Sequence, residues 1–322
     1  MLFRSPLIKS RETFKVTVKK SVISDKGYEC TLVCSAYFAV TLPSGEVFLC
    51  ERNTMNSSCK DKTSVLKEDL LIVSQREIAP RIFEMKLSGE MVLDMAPGQF
   101  LHLRVPDPSK LLRRPISICQ IDKVNKVATI VYRVERAGTT ILSQLKAGDR
   151  VDTMGPQGNS FDLSVISAGQ TALLIGGGIG VPPLVETAKQ LAAKGIKVVS
   201  VLGFATKDAV ILEEELSAYG KVYVTTDDGS YGIKGYVSTV VDDLVEKQSF
   251  DAIYSCGAPG MLKYVDKKFE NHPHAYLSME SRMACGMGAC YACVVHLRNA
   301  KEAANKRVCE DGPVFETGQI IL

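Results

Sequence analysis

Three cysteines fall within nine residues in the stretch CGMGACYACVVH, which covers residues 285–296. The spacing is Cys285-x4-Cys290-x2-Cys293, and fifteen residues separate Cys293 from a fourth cysteine, Cys309. This order is typical of plant-type 2Fe–2S clusters, so we predict that these four residues are cluster ligands. Small residues fill most of the gaps: Gly286, Gly288, Ala289 and Ala292. They allow the backbone to wrap closely around a cluster and to direct its N–H groups at the sulfurs.

Structural zinc is the main alternative for these thiols, because zinc also accepts four thiolates. Zinc sites usually combine two short Cys-x-x-Cys pairs, whereas three of these four cysteines lie on one loop. Unreactive buried thiols are a second alternative. The chain has ten cysteines and no secretion signal, which favours metal or redox chemistry over disulfide bonds.

The composition excludes several classes of protein. With 46% hydrophobic and 23% charged residues and a net charge of +3, the chain has an ordinary globular composition. It contains no apolar run of about 18 residues, so we expect no membrane span. Its start lacks a continuous apolar segment, and we expect a cytoplasmic protein. No basic stripe interleaved with aromatic residues supports nucleic-acid binding.

The middle of the chain changes its periodicity near residue 167. Residues 65–166 contain short apolar runs separated by turn residues, such as DLLIVSQREI, IFEMKLSG, QFLHLRVP, PISICQID and KVATIVYRVE, which predict a small antiparallel barrel. Residues 167–276 alternate buried strands with helices, which predicts an open parallel sheet covered on both faces. Residues 277–322 form a third, cysteine-bearing module. The expected fold class is therefore multidomain, β plus α/β.

A glycine-rich turn follows the first strand of the predicted parallel sheet. The sequence LLIGGGIGVPPL places Gly176, Gly177, Gly178 and Gly180 between a strand and a helix, where backbone N–H groups can approach a pyrophosphate. The pattern is not a complete G-x-G-x-x-G, and a tight turn without a ligand is the alternative.

Two later strand ends support a nucleotide site at the same edge of the sheet. They carry the sequences TTDDGSYGIKG and CGAPGML, and the second includes Cys256 and Gly257. After the second strand, Lys207 is the only residue of GFATKD that could pair with a 2′-phosphate, which favours NAD over NADP.

The barrel region contains two stretches suited to phosphate. Arg114 in LRRPISI can pair with a phosphate, and Ser117 can hydrogen-bond a planar cofactor edge. Gly138, Thr139 and Thr140 follow in a turn that can hold a second phosphate. An arginine on a strand is more often an exposed surface residue. Two interpretations therefore stay open for these stretches: a bound dinucleotide, or a surface without a ligand.

Electron counting adds a requirement for flavin. NADH gives up two electrons at once, whereas a 2Fe–2S cluster accepts one at a time, and a flavin converts between the two. We identify no catalytic residue for an organic substrate. The four histidines are expected to be structural or surface residues: His102, His272, His274 and His296. A partner is therefore expected to supply the substrate chemistry.

The order of RRPIS, YRV with GT, GGGIG, CGAPGM and the four cysteines resembles the ferredoxin-reductase superfamily. Within it, TDDGSYGIKG and ESRMACGMGACYAC are similar to the electron-transfer subunits of NAD-linked, class 1B dihydroorotate dehydrogenases. The resemblance covers residues from about 65 to 322. Many superfamily members carry Tyr where this chain has Ile116.

The resemblance implies an oxidoreductase subunit with FAD and a 2Fe–2S cluster. It implies that FAD is held by Arg114, Pro115, Ile116, Ser117, Val131, Tyr132, Arg133, Gly138 and Thr139. It also implies a heterotetramer of two such chains with two FMN-containing catalytic subunits. Electrons would pass from dihydroorotate through FMN, the cluster and FAD to NAD+, in de novo pyrimidine biosynthesis, and this chain would not oxidise dihydroorotate without its partner.

Three alternatives stay open at this point. The chain resembles, less closely, flavin and iron–sulfur subunits of ferredoxin:NADP reductase and of sulfhydrogenase complexes. A zinc-stabilised regulatory protein that binds a nucleotide is the non-enzymatic alternative.

Residues 1–64 have no counterpart in the family, and we expect either a misassigned start, with Val65 as the initiator, or a genuine extension. In the first case Cys30, Cys34, Cys50 and Cys59 are not a metal site.

Overall fold

The computed structural model describes residues 65–298 and 304–322, and four short strands before them. The chain divides into two compact units, Met1–Lys62 and Thr63–Leu322. The first unit contains an antiparallel sheet in chain order: β1 (Val22–Ile23), β2 (Glu29–Thr31), β3 (Tyr37–Thr41) and β4 (Val47–Glu51). The predictions about the four N-terminal cysteines and the origin of residues 1–64 lie outside the described residues.

The second unit begins with the predicted barrel, which is confirmed as six antiparallel strands. These are β5 (Leu66–Ala79), β6 (Ile82–Ser88), β7 (Phe100–Leu103), β8 (Arg114–Asp122), β9 (Val127–Arg133) and β10 (Arg150–Gln157). They close in the order β10-β5-β6-β9-β8-β7. Helix α1 (Ala137–Leu142) lies between β9 and β10. Alternate residues such as Leu101 and Leu103 fill the interior, because successive side chains on a strand point to opposite faces.

The predicted parallel sheet is also confirmed. Its strands are β11 (Thr171–Gly177), β12 (Lys197–Phe204), β13 (Gly220–Thr226), β14 (Ile233–Lys234), β15 (Ala252–Cys256) and β16 (Ala275–Ser278). The helices are α2 (Pro182–Ala193), α3 (Glu213–Ser217), α4 (Val237–Lys247) and α5 (Pro259–Lys268). The spatial order β14-β13-β12-β11-β15-β16 reverses direction between β11 and β15. Such a reversal creates a crevice at the carboxyl ends of the strands, where ligands bind in folds of this type.

One helix is shorter than the sequence predicts. The pattern AVILEEELSAYG suggests a helix over residues 209–220, but α3 spans only Glu213–Ser217. Leu212, immediately before it, has a φ of 60°, in the left-handed region. Val210 and Ile211 are β-branched and favour extended backbone over helix, which explains the late start.

The cysteine module adds three short strands. β17 (Val294–His296) and β18 (Asn305–Arg307) form an antiparallel pair. β19 (Val314–Glu316) joins the large sheet antiparallel to β16. The proposed boundary at residue 276 therefore falls within β16, and the domain division stays a prediction.

Buried polar contacts join the barrel to the large sheet. Glu186 on α2 is buried and accepts a hydrogen bond from the N–H of Ile121 on β8 at 2.8 Å. Lys189, one turn later, donates to the carbonyl of Ile121 at 2.7 Å. The barrel residues Cys119 and Val131 belong to the same apolar core as the apolar residues of α2. The barrel and the sheet are thus packed as one unit.

Candidate cofactor sites

The four predicted cluster ligands form two pairs of thiols. Cys285 interacts with the thiol of Cys290, and Cys309 with the thiol of Cys293. The N–H of Cys290 donates to Cys285 Sγ at 3.4 Å, and the N–H of Cys309 donates to Cys293 Sγ at 3.5 Å. The structure therefore brings together the loop cysteines and the distant fourth cysteine, as the spacing predicts.

Backbone N–H groups of the loop point at the sulfurs. The N–H of Met287 donates to Cys285 Sγ at 3.4 Å, and that of Gly288 donates to Cys309 Sγ at 3.1 Å. Gly286 and Gly288 have φ values of 69° and 76°, a conformation that glycine adopts without strain. Such N–H···S hydrogen bonds stabilise negative charge on sulfur and tune the potential of a cluster.

The same contacts set the pKa values of two of the thiols. Burial opposes ionisation of Cys285, but hydrogen bonds from Met287 and Cys290 outweigh it and lower the pKa to about 7. Burial and the neighbouring thiol of Cys293 raise the pKa of Cys309 to about 12. Because metals bind the thiolate form, loading a cluster here would release protons, including the one that Cys309 holds at neutral pH.

Two thiol pairs fit a two-iron cluster better than one zinc ion. In a 2Fe–2S cluster each iron takes two of the four cysteines. Structural zinc requires its four ligands around one point. The donor set thus fits 2Fe–2S.

The two barrel motifs predicted to hold FAD meet at the start of α1. Arg114 opens β8, and Gly138 lies in the first turn of α1. A Cβ atom at Gly138 would lie 2.5 Å from Arg114 Nε, so a side chain there would displace the guanidinium from this turn. The guanidinium also donates to the carbonyl of Leu112 at 2.6 Å. A guanidinium held against backbone in this way suits a phosphate oxygen, which fits the pyrophosphate of a dinucleotide.

The other residues predicted for FAD lie on different faces of the barrel wall. Residues 115–117 are half-buried on β8, where they pair with β7. Val131 packs into the core shared with α2, whereas Tyr132 points into the barrel and donates its hydroxyl to Gln75 Oε1 at 3.0 Å. Arg133 is exposed. Tyr132 could therefore offer a ligand outside the barrel only its backbone.

Thr139 uses its hydroxyl to order the turn that presents Gly138. Thr139 Oγ1 accepts hydrogen bonds from the N–H groups of Glu135 at 3.0 Å and Arg136 at 3.3 Å, and it donates to the carbonyl of Arg136 at 2.9 Å. Glu135 in turn pairs with Arg133 at 2.7 Å. The Thr139 hydroxyl thus orders the turn that presents Gly138.

The predicted nucleotide turn lies where the order of the parallel strands reverses. Gly176 pairs with Leu202 of β12 on one side and with Cys256 of β15 on the other. Gly178 has a φ of 53°, and a Cβ atom there would meet nothing within 4 Å, so the space in front of the turn is open. This open crevice is the position at which such folds bind nucleotides.

The end of β15 closes one side of the turn. A Cβ atom at Gly180 would lie 2.5 Å from the carbonyl oxygen of Cys256, so the two chains touch through backbone. A Cβ atom at Gly257 would lie 3.1 Å from the N of Gly177. The thiol of Cys256 is buried, and burial raises its pKa well above the usual range, so it stays neutral. All the residues predicted for NAD thus lie at one place.

The residues that follow β12 and β13 favour NAD over NADP. Lys207 donates its N–H to Ser230 Oγ at 2.8 Å and holds its ammonium 6.0 Å from the centre of the Tyr231 ring. Asp227 and Asp228 are exposed in the same turn. A 2′-phosphate near Lys207 would meet these carboxylates, which is unfavourable.

Three family models match the second unit in the order that the structure shows. An oxidoreductase FAD-binding domain matches residues 71–161, and an oxidoreductase NAD-binding domain matches residues 174–267. The iron–sulfur cluster binding domain of dihydroorotate dehydrogenase B matches residues 280–321. The chain therefore has FAD-binding, NAD-binding and cluster-binding domains.

Curated relatives match along their whole length. The dihydroorotate dehydrogenase B (NAD(+)) electron transfer subunit of Streptococcus thermophilus is 74% identical over 258 residues, which cover 80% of this chain and 100% of that protein. The chain belongs to this family of electron transfer subunits. The corresponding subunit of Enterococcus faecalis is 49% identical over 259 residues, which cover 80% of this chain and 98% of that protein.

Solved structures support the same fold. An NADH-dependent reduced ferredoxin–NADP oxidoreductase is 29% identical, with a TM-score of 0.70, over 79% of this chain and 90% of that chain. A ferredoxin NADP+ reductase from Neisseria gonorrhoeae, with a TM-score of 0.56 and 13% identity, covers 67% of this chain and 94% of that chain and supports the fold alone. In the part of this electron transfer subunit that the structure describes, no helix is long and apolar enough to cross a membrane.

The sequence prediction missed a polar pair beneath the cysteine loop. His102 on β7 and Gln157 on β10 are fully buried, and no well-aligned hydrogen bond within the described residues reaches their side chains. Burial, reinforced by the nearby charge of Arg113, lowers the pKa of His102 to about 4, so the imidazole is neutral. The pattern of β7 contained a signal, because Phe100 and His102 share the face opposite the apolar Leu101.

A second missed residue is Arg113, immediately before the flavin motif. Its guanidinium bonds Asp152 Oδ1 at 2.7 Å and donates to the backbone carbonyls of His102 at 3.2 Å and Asp152 at 2.9 Å. Burial alone would raise the pKa of Asp152, but the guanidinium of Arg113 and the ammonium of Lys67 lower it overall. Arg113 thus fixes the start of β8, where Arg114 lies.

Proposed function

We propose that the chain carries electrons to NAD+ by way of the 2Fe–2S cluster and FAD. It would receive them from a catalytic subunit that oxidises dihydroorotate. The catalytic subunit would contain FMN, and two copies of each chain would form a heterotetramer. The reaction would serve de novo pyrimidine biosynthesis in the cytoplasm. The chain would not oxidise dihydroorotate by itself, because residues 65–298 and 304–322 offer no evident catalytic constellation for an organic substrate.

One observation supports this proposal: the residues predicted to hold the three cofactors lie on neighbouring elements of one folded unit. Gly286 of the cysteine loop lies against the side chains of His102 and Gln157 on β7 and β10. Strand β7 pairs with residues 114–117 of β8, which are predicted to bind FAD. The barrel packs on α2, which begins directly after the nucleotide turn. Neighbouring sites of this kind suit electron transfer over short distances.

The chain's own residues would bind and orient the cofactors. Flavin supplies the conversion between two-electron and one-electron transfer. Arg114 and the turn at Gly138 would hold its pyrophosphate, and Arg113 keeps Arg114 in place. The open space before Gly178 would admit the nucleotide.

The exposed edge of the cysteine loop supports a docking site for the catalytic subunit. Met287 and Tyr291 are 50% and 62% exposed, although both are large and apolar. Cys290 is exposed between them. Aromatic residues and methionine are enriched at protein interfaces. A subunit bound there would meet the cluster directly.

Anaerobic purification followed by an absorbance spectrum, metal and flavin analysis and stepwise NADH reduction tests the proposal. We expect about one FAD and about two iron atoms per chain, both reduced by NADH. Addition of the FMN-containing catalytic subunit should then give NAD+ reduction that depends on dihydroorotate. Zinc in place of iron, or no flavin, would contradict the electron-transfer function.

A ferredoxin:NADP reductase subunit is the second candidate, and a sulfhydrogenase subunit is related to it. The 29% identity to the NADH-dependent reduced ferredoxin–NADP oxidoreductase favours the former. Activity with reduced ferredoxin and NADP+, without a response to dihydroorotate and the catalytic subunit, would select it. The 74% identity to the Streptococcus thermophilus subunit supports the first proposal instead.

A further inference from the structure

Two buried polar side chains lie directly beneath the cysteine loop. A Cβ atom at Gly286 would lie 2.7 Å from Gln157 Oε1 and 2.9 Å from His102 Cε1, and even closer to His102 Nδ1. The exposures of His102 and Gln157 are 0% and 1%. The loop residue next to Cys285 therefore rests on this pair with no room for a side chain.

No well-aligned hydrogen bond within the described residues reaches His102 Nδ1 and Nε2 or Gln157 Nε2 and Oε1, although the backbone of Arg113 opposes part of the lowering of the imidazole's pKa. Buried polar atoms are nearly always hydrogen-bonded, and each exception calls for an explanation. Apolar side chains would fill this position without the cost of unpaired groups. Polar residues are therefore expected here only if a group absent from the protein chain takes their hydrogen bonds.

The position of the pair indicates which group that is. Strand β7 has the predicted flavin strand β8 on one side and β10 on the other. Phe100, two residues before His102, packs with Cys293 and Cys309 in the core of the cysteine module. The outward face of β7 is thus continuous with the cluster site.

We propose that His102 and Gln157 are positioning residues for the 2Fe–2S cluster. They hold the loop at Gly286 and direct N–H groups toward the sulfur ligands of the bound cluster. A neutral imidazole offers one N–H, and the amide offers two. Hydrogen bonds to the sulfurs stabilise the more negative, reduced cluster and raise its potential. The inference rests on the cluster of the proposed function.

The test uses the anaerobically purified chain with its cofactors bound. His102→Leu and Gln157→Met each remove the N–H donors of one side chain, whereas His102→Gln keeps an N–H donor at position 102. His296→Gln is the matched control, because His296 lies in the same module but is exposed. The midpoint potential and the EPR spectrum of the reduced cluster are measured by redox titration, and the flavin potential is followed separately by absorbance.

We expect His102→Leu and Gln157→Met each to shift the cluster's equilibrium about tenfold toward the oxidised form, or about 59 mV for one electron, and to change its EPR spectrum. His102→Gln should recover part of the shift, and His296→Gln should show none. If His102→Leu does not retain iron, Gln157→Met decides the matter.

Two results would overturn the inference. One is an unchanged cluster potential and EPR spectrum in Gln157→Met with full iron content. The other is a shift confined to the flavin, which would assign the pair to FAD instead. Iron analysis of the unaltered protein separates these outcomes from failure of the proposed function, because a chain without iron would contradict the cluster itself.

Discussion

The cysteines that the structure describes fall into two groups with opposite surroundings. Cys119 and Cys256 lie in the apolar core between the barrel and the large sheet, and burial strongly raises the pKa of each. Cys285, Cys290, Cys293 and Cys309 lie in the cysteine module, where backbone N–H groups and neighbouring thiols face their sulfurs.

Burial alone does not separate the two groups, because Cys293 and Cys309 are as buried as the core thiols. What differs is the supply of N–H donors and the pairing of sulfurs. An isolated thiol in an apolar core has nothing to stabilise its thiolate, so it behaves as a small hydrophobic residue. A site for a metal cluster thus depends on the backbone around the cysteines as much as on their number.

The largest effect is expected for Cys309→Ser, which removes one sulfur of the second pair. The variant should lose most of its iron and its visible cluster absorbance, because the second iron would keep only one of its two cysteines. Iron analysis after anaerobic purification measures this. Cys119→Ala is the matched control, and full iron loss in that variant would erase the distinction between the two groups.

The second largest effect is expected for Gly286→Ala. It adds strain at a φ of 69° and a collision with the pair beneath the loop, together about 2–6 kcal/mol. Cluster content should fall several-fold, although every cysteine is intact. Gly148→Ala is the control, because its φ of 95° is equally unfavourable for alanine but its Cβ would meet nothing within 4 Å. Equal iron loss in both variants would show that lower stability of the whole chain, not contact with the pair, is responsible.

Local patterns predicted the barrel, the parallel sheet and the grouping of cysteines. Strand and helix periodicity is a local property, and so is the spacing of three thiols on one loop. The predicted start of α3 at residue 209 was wrong, because the β-branched side chains before the helix override the apolar pattern. Residues 176–180 and 256–257 met as expected, since carboxyl ends of parallel strands share one edge.

Long-range contacts could not be predicted. Strand β19 has only three residues, and nothing in its sequence shows that it pairs with β16. His102 was expected to be structural or at the surface, because only the fold shows that it lies beneath Gly286. The roles of the predicted FAD and NAD residues stay predictions, although their positions are compatible with them.

The flavin site offers a comparison with a smaller expected effect. Gly138→Ala would place a Cβ atom 2.5 Å from Arg114 Nε, and the flexible guanidinium would have to move away from the turn. Flavin affinity should fall by about tenfold or less, since weakening a hydrogen bond of net worth about 0.5–1.5 kcal/mol corresponds to at most that factor. Thr140→Ala is the control on the same helix. Absorbance of released flavin measures the result, and unchanged content would remove Arg114 from the site.

The smallest effect is expected for Cys256→Ala, in the core group. Removing one buried atom should cost about 1 kcal/mol, comparable to loss of a methyl group, and lower the midpoint of thermal unfolding by about 2–4 °C. Iron and flavin content should not change, because Cys256 belongs neither to the core of the cysteine module nor to the residues predicted to hold FAD. The thiol should also resist alkylation in the native protein, since burial and a raised pKa keep it neutral and inaccessible. Rapid native labelling of Cys256 would place it among the reactive cysteines and break the division between the two groups.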